Sequence, residues 1–480
     1  MLNQNQTPLL DALQACTTHE HAPFYTPGHK RGEGISQPLV DLLGKKVFRA
    51  DLTELADLDN LFAPQGVILT AQELAAEAFG AEKTWFLVNG STCGIEAAIL
   101  ATCGVGDKII MPRNVHSSVI SGLILSGAIP IFINPEYDPV LDIAHSLTPA
   151  SVQTALEKHP DAKAVFIVYP TYYGVCGDLQ AIAQITHQYH IPLLVDEAHG
   201  AHFAFHPKLP TPALAAGADL TVQSTHKVLG AMTQASMLHL QGDRIDIDRV
   251  NKALQLVQST SPSYLLLASL DAARQQMALQ GKTLMSRTLE LAEIARTRIS
   301  EIPGLTVLNL PNLDPTRLTV TVSGLGFTGF TAETILDEKL GVTAELASWQ
   351  HLTFIISLGN TLSDIEQLVQ GFISLAQMKP DFHPPSPQKF IFWDDLASIS
   401  PREAFFAISE IVPLDESCDR ISAEIICPYP PGIPVLMPGE LITQQALQYL
   451  QQIQAMGGFI TGCADTSLKT LKVVKIIRNS

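Results

Sequence analysis

The chain has 480 residues, of which 46% are hydrophobic and only 16% charged, well below the ~25% charged residues of ordinary soluble domains. That length implies about three domains, and so low a charge fraction leaves surface for burial between subunits. A net charge of −17 argues against a nucleic-acid partner and suits cationic ligands.

No Lys or Arg precedes Lys30, so the start lacks the basic region of a signal or transit peptide and a cytoplasmic location is expected. From about Pro64 to Val228, strand-like and helix-like segments alternate as in a doubly wound sheet. Residues 84–88 predict a strand, Asn89-Gly90-Ser91-Thr92 a turn and residues 94–100 a helix. Amides and hydroxyls at such a helix start form a phosphate site, although Ser91 and Thr92 also suit an ordinary N-cap. Residues 108–112 predict a strand leading to Arg113-Asn114-Val115-His116, whose imidazole can stack on a cofactor ring. The apolar stretch 118–133 is broken by Ser121, Gly122, Ser126, Gly127 and Pro130 and is too short to span a bilayer. Residues 191–195 form an apolar run suited to a strand buried on both faces. Asp196 then sits at its carboxyl end, where open α/β sheets bind ligands. Residues 220–223 lead in the same way to Ser224-Thr225-His226-Lys227. Residues 251–298 read as helical, and a smaller α/β unit follows to about Met378. Four prolines within 379–387 mark a linker, because none of them can continue a helix or a central strand. Seven cysteines without a C-x-x-C pair suit reduced thiols.

Lys227 and Asp196 supply an amine for a Schiff base with a cofactor aldehyde and a carboxylate for a pyridinium nitrogen, the two groups that pyridoxal 5'-phosphate (PLP) chemistry needs. Breaking a bond at Cα leaves a carbanion that the ring accepts only while its nitrogen is protonated. A buried carboxylate holds that proton, since an opposite charge nearby favours the charged form. Three rival patterns carry less. Asp196-Glu197-Ala198-His199 spells a helicase box, but Gly281-Lys282-Thr283 has Gln276 where a P-loop needs its first glycine. Gly324-Leu325-Gly326-Phe327-Thr328-Gly329 fits G-x-G-x-x-G after a strand-like segment, with Glu345 near the ribose-acid position, and alone suggests a dinucleotide-dependent oxidoreductase. His199-Gly200-Ala201-His202 and His19-Glu20-His21 lack the partner ligands of a closed zinc site, so no metal is expected.

The chain resembles the fold type I Orn/Lys/Arg decarboxylases along nearly its whole length. The matching motifs are Thr26-Pro27-Gly28-His29-Lys30-Arg31-Gly32, Asn89-Gly90-Ser91-Thr92, Arg113-Asn114-Val115-His116-Ser117-Ser118, Pro170-Thr171-Tyr172-Tyr173-Gly174, Asp196-Glu197-Ala198-His199-Gly200, Ser224-Thr225-His226-Lys227 and Tyr429-Pro430-Pro431-Gly432-Ile433-Pro434 with Pro438-Gly439-Glu440. The resemblance implies that Lys227 forms the internal aldimine and Asp196 pairs with the ring nitrogen. It places Ser91, Thr92, Ser224 and His226 around the phosphate, His116 on the ring, and Ala198 and His199 on its other side. Ser117 stands where the family usually has Lys, and Cys418-Asp419 replaces a small residue and Gly.

The expected architecture is α/β: an aspartate aminotransferase-like, PLP-binding large domain (64–280) after an N-terminal segment (1–63), a small α/β domain (281–378) and a C-terminal α+β domain (388–480). The expected activity, implied by the resemblance, is decarboxylation of a basic L-amino acid by a homodimer or higher homo-oligomer. Arginine and lysine are favoured over ornithine, and the product is agmatine or a diamine of polyamine biosynthesis. An aminotransferase or aldolase is the alternative within PLP chemistry. Glu440 is the candidate for recognising the distal cation, with Asp51 and Tyr173 behind it. No nucleic acid or membrane is expected as a partner.

Overall fold

The computed structural model describes residues 2–380, 398–429 and 432–475. They form two compact units, one of residues 1–101 and 194–286 and the other of 102–193 and 287–480.

In the first unit, strands run in the order Lys83–Leu87, Ser236–Leu240, Leu220–Gln223, Leu193–Asp196. The first three pair antiparallel, and Leu193–Asp196 lies parallel to Leu220–Gln223. Every residue of the last three strands is buried, as in strands covered on both faces, and the polar Thr221, Gln223 and His239 among them are hydrogen-bonded. The helix Gly90–Thr102 begins four residues earlier than residue 94, so Ser91 and Thr92 lie inside its first turn. Gly94 lets this helix press onto the sheet: a Cβ there would stand 2.7 Å from Leu87 Cδ1 and from Val222 Cγ1. The helical stretch expected over 251–298 is two helices, Ile247–Val257 and Tyr264–Ser300. The interruption contains Pro262, which has no N–H to continue a helix. The longer helix runs straight through the 280/281 position at which the sequence suggests a boundary.

The N-terminal segment is held by a buried pair on that longer helix. Asp271 accepts from the amides of Leu9 and Leu10 at 3.0 and 3.4 Å, at the start of helix Pro8–Thr18, whose N-cap Thr7 makes no side-chain cap. A carboxylate there satisfies orphan amides and meets the positive end of the helix dipole. Arg274 pairs with Asp271 and donates to the Gln4 and Gln6 carbonyls at 3.0 and 2.6 Å.

In the second unit, Lys108–Pro112 lies between Ala164–Val168 and Ile129–Ile133, parallel to both. A four-stranded antiparallel sheet follows, in the order Thr306–Val307, Arg317–Thr321, His351–Ile355, Leu346–Ala347. Leu318, Val320, Leu352 and Phe354 share a core with Leu336 and Phe372, contributed by helices Gly329–Leu340 and Leu362–Gln377. This sheet removes the dinucleotide reading, because that fingerprint belongs to a parallel βαβ unit whereas Arg317–Thr321 pairs antiparallel. The glycines serve close packing instead: a Cβ on Gly324 would lie 2.4 Å from the Gly304 carbonyl, and one on Gly329 2.2 Å from that of Ser348.

Residues 398–475 are α+β, with strand pairs Ser409–Pro413/Thr470–Val474 and Cys427–Tyr429/Phe459–Thr461. Helix Gln444–Ala455 packs Leu447 and Leu450 against Ile426, Leu436 and Val473. Most of the proline-rich linker, the expected domain start near Gln388, and Pro430 and Pro431 lie outside the described residues. No helix among the described residues is long and apolar enough to cross a membrane.

Candidate active site

Asp196 is the last residue of its strand, and Lys227 lies in the short helix Thr225–Val228 directly after the neighbouring strand. Parallel pairing in register, with Asp196 opposite Val222, brings both carboxyl ends to one edge of the first unit. Lys227 Nζ lies 3.1 Å from His199 Nε2. Asp196 is buried, and its Oδ1 accepts from the Ala198 amide at 3.1 Å. Burial pushes its carboxyl above the usual range, while the Lys227 charge and the Ala198 N–H pull the other way. Such a carboxyl needs a cation close by to stay ionised, and a pyridinium provides one.

The phosphate candidates are also joined. Ser224 Oγ donates to Ser91 Oγ at 2.7 Å, which ties the end of one strand to the first turn of helix Gly90–Thr102. Ser224 is fully buried, whereas Thr92 is exposed. Beside them the Thr225 hydroxyl is buried with no hydrogen-bond partner among the described residues. An orphan hydroxyl, a serine pair and a helix N-terminus of 13 residues form a donor set that suits a phosphate. His226 is held by Nδ1, 3.0 Å from the Ala235 carbonyl, and because Nδ1 must then carry the proton, Nε2 is left as an acceptor when the ring is neutral. Burial, opposed by that bond, keeps its pKa below the usual value. The first unit thus brings together Lys227, Asp196, Ala198, His199, Ser91, Ser224 and His226, and these residues fit PLP.

Asp51, also in this unit, accepts from His29 Nε2 at 3.1 Å. His29 Nδ1 takes the Gly32 amide at 3.1 Å, which fixes the proton on Nε2. Asp51 therefore organises the Thr26–Gly32 motif.

In the second unit, His116 caps helix Ser117–Ser126, its Nδ1 accepting from the Ser118 amide at 3.2 Å. This cap fixes the ring plane. Tyr173 is half-buried and lines a cavity, and desolvation raises its phenol to about 12. Glu440, read from the sequence as a substrate acid with a solvated loop acid as the alternative, is not solvated. It is buried, pairs with Arg113 Nη2 at 3.1 Å and accepts the Met437 amide at 2.9 Å. Arg113 also donates to the carbonyls of Pro434 and Val435 at 2.8 and 3.2 Å. The carboxylate is thus committed to anchoring the 434–440 loop. Glu440→Gln leaves a buried guanidinium without its counter-charge, so it is expected to destabilise the fold by about 3 kcal/mol, measured as a lower denaturant midpoint.

Sequence alternation turns Glu197 away from Asp196, but not why a carboxylate belongs there. It is fully buried and accepts from Ala213 N at 2.8 Å, Gln223 Nε2 at 2.7 Å and Thr221 Oγ1 at 3.2 Å. Gln223 Oε1 then takes His239 Nε2 at 3.1 Å, and His239 Nδ1 takes the Thr84 hydroxyl at 2.7 Å. Burial raises Glu197 to about 7 and lowers His239 to about 3. Glu197→Gln strands one donor and is expected to cost about 1–3 kcal/mol while changing turnover only a few-fold. Because the folded-state pKa is raised, the wild-type carboxyl contributes stability below pH ~4.5 that is lost as pH rises through about 7. Urea titrations at pH 5 and pH 8 check that the stability gap between the two proteins narrows over this interval.

Around His19, the structure brings the donor atoms of Cys16, His19 and Asp57 within 4.8 Å of one another. The spacing of His19-Glu20-His21 gives no sign of this, since Asp57 arrives from 38 residues away.

Residues 7–312 match the sequence profile of the Orn/Lys/Arg decarboxylase major domain, and residues 396–464 that of the family's C-terminal domain. The chain belongs to the Orn/Lys/Arg decarboxylase family. It is 40% identical to a protein of Bacillus subtilis (strain 168) named arginine decarboxylase, over 99% of both chains. The structure of the Escherichia coli constitutive lysine decarboxylase superposes with a TM-score of 0.83 at 22% identity, covering 98% of this chain and 82% of that one. An alanine–glyoxylate aminotransferase from Nostoc sp. superposes at a TM-score of 0.52 and 18% identity over 66% of this chain and 89% of that one. The fold is thus the fold type I α/β architecture with a separate C-terminal domain. Membership of the Orn/Lys/Arg decarboxylases makes this chain a decarboxylase of basic amino acids and implies PLP as cofactor.

Proposed function

We propose that this Orn/Lys/Arg decarboxylase acts on L-arginine, releasing agmatine and CO2, with PLP carried by Lys227. The reading is supported most by Lys227 and Asp196 at adjacent strand ends, beside the Ser91–Ser224 pair. The choice of arginine is supported by the 40% identical full-length relative of that name. When bound, PLP supplies an electron sink for the pair released as the bond from Cα to the carboxylate breaks.

The chain's own groups do the positioning. Lys227 Nζ binds the cofactor, and His199 Nε2 at 3.1 Å orients that amine. Asp196 holds a proton on the pyridine nitrogen, its burial excluding the water that would screen the pair. Ser91, Thr92, Ser224 and Thr225 bind the phosphate with the amides of helix Gly90–Thr102. Net, the carboxylate leaves Cα as CO2 and a proton takes its place.

We further propose a cytoplasmic homodimer feeding polyamine synthesis. Phe405, Phe406, Ile408 and Ile411 are 54–67% exposed, more contiguous apolar surface than isolated side chains account for, which supports self-association. Incubating the purified enzyme with arginine, lysine and ornithine separately, with products resolved by chromatography, tests substrate choice. Agmatine from arginine at the highest kcat/KM is the expected result, and a preference for lysine overturns the assignment.

A further inference from the structure

The second unit contains a cavity of about 170 Å³ that the chemistry above does not use. Its walls are aromatic: Tyr173, Phe330, Trp349, Tyr449 and Phe459 all line it, and Asp142 supplies a carboxylate. The described residues of the lining include no Lys, Arg or His. Besides Asn114, three separate stretches of the unit converge there, namely residues 137–173, the 330–349 portion of the small sheet region and the 428–459 portion of the last domain.

The carboxylate is placed deliberately by its surroundings. Asp142 closes the two-residue strand pair Tyr137–Asp138/Ile143–Ala144 in a left-handed conformation, φ +55°. Asp138 Oδ1 accepts the amides of Val140 and Leu141 at 2.8 and 2.9 Å, which fixes the turn. His351 secures it from the small sheet: its Nε2 meets the Leu141 carbonyl, and its Nδ1 lies 3.0 Å from the Thr321 hydroxyl. The Tyr137 hydroxyl donates to Asp142 Oδ1. Tyr173 and Tyr449 line the same cavity as Tyr137 and Asp142, and burial first, with the Asp142 carboxylate in addition, raises all three phenols.

Aromatic faces attract cations through their quadrupoles, and a guanidinium or ammonium group within an aromatic enclosure gains further from a carboxylate hydrogen bond. A neutral apolar ligand gains nothing from Asp142, and an anion is repelled by it. We propose that this pocket binds a small organic cation with a short aliphatic body, an alkylguanidinium or alkylammonium, with its charged head at Asp142 and its chain against Phe330 and Trp349. Such a cation has two sources, the amino acid substrate and its decarboxylated product, and only the choice of these two as ligands rests on the function proposed above.

The test uses full-length holoenzyme treated with borohydride, so that PLP is fixed to the protein and an added amine cannot react with it. Calorimetric titration with agmatine, L-arginine and neutral n-butylurea is then run on wild type, Asp142→Asn and Trp349→Ala. Asparagine tolerates the left-handed conformation at 142, so the first variant keeps the turn, and circular dichroism checks both folds. Agmatine or arginine is expected to bind wild type. Asp142→Asn should weaken that binding at least ~10-fold, as loss of a charge-assisted hydrogen bond does, and Trp349→Ala about 5-fold. n-Butylurea should bind at least ~10-fold more weakly than the cations. Stronger binding of agmatine identifies the product as ligand, and stronger binding of arginine the substrate. Absence of cation binding, or equal affinities in wild type and folded Asp142→Asn, overturns the proposal. An active decarboxylase giving either result loses only the pocket. A protein that binds the cation through Asp142 but decarboxylates nothing loses only the function proposed for Lys227.

Discussion

Asp196→Asn is expected to lose decarboxylation by ~10³-fold or more, comparable with removing a strong electrostatic stabiliser, while it keeps its fold and some bound PLP. The carboxylate sits buried at a strand end, where burial alone raises its pKa and nearby positive charge restores ionisation. An amide cannot hold a proton on the ring nitrogen, so the sink for the electron pair is weakened although the phosphate contacts remain. Steady-state kinetics together with the absorption spectrum of bound cofactor measure the two effects separately. Equal turnover by Asp196→Asn and wild type contradicts the role given to this residue.

Lys227→Ala is the second large effect. It removes the amine that carries the cofactor and the partner 3.1 Å from His199. A fall of ~10⁴-fold in kcat is expected, the upper end for a positioned acid–base group, because Nζ combines attachment with proton handling. PLP should still associate through the phosphate contacts and be released on dialysis, which wild type resists. Retention of activity above a hundredth of wild type in Lys227→Ala indicates that another lysine serves.

Much of this arrangement is legible in the sequence because both key residues follow short strand-like runs that carry buried aliphatic residues. The run before Asp196 is apolar, the run before Ser224 alternates Leu220 and Val222 with Thr221 and Gln223, and in α/β proteins the strands of such a covered sheet end at the ligand edge. The phosphate turn is legible for a similar reason, since Ser91 opens a helix that Gly94 allows to pack tightly. Long-range partners are not legible. Glu440 follows a proline-rich stretch and reads as a loop acid, whereas Arg113, 327 residues away, makes it a buried anchor. The chain of hydrogen bonds from Glu197 through Gln223 and His239 to Thr84 crosses strands whose order the sequence does not specify. The aromatic enclosure of Asp142 draws on three distant stretches, and no local pattern joins them. The G-x-G-x-x-G match misleads because its meaning depends on strand direction, which only pairing reveals.

The most direct test is reduction of the purified yellow protein with borohydride, followed by protease digestion and mass mapping of the modified peptide. The account predicts a single phosphopyridoxyl adduct on Lys227, in the peptide containing Ser224-Thr225-His226. An adduct on any other lysine, or a protein that takes up no PLP, contradicts it.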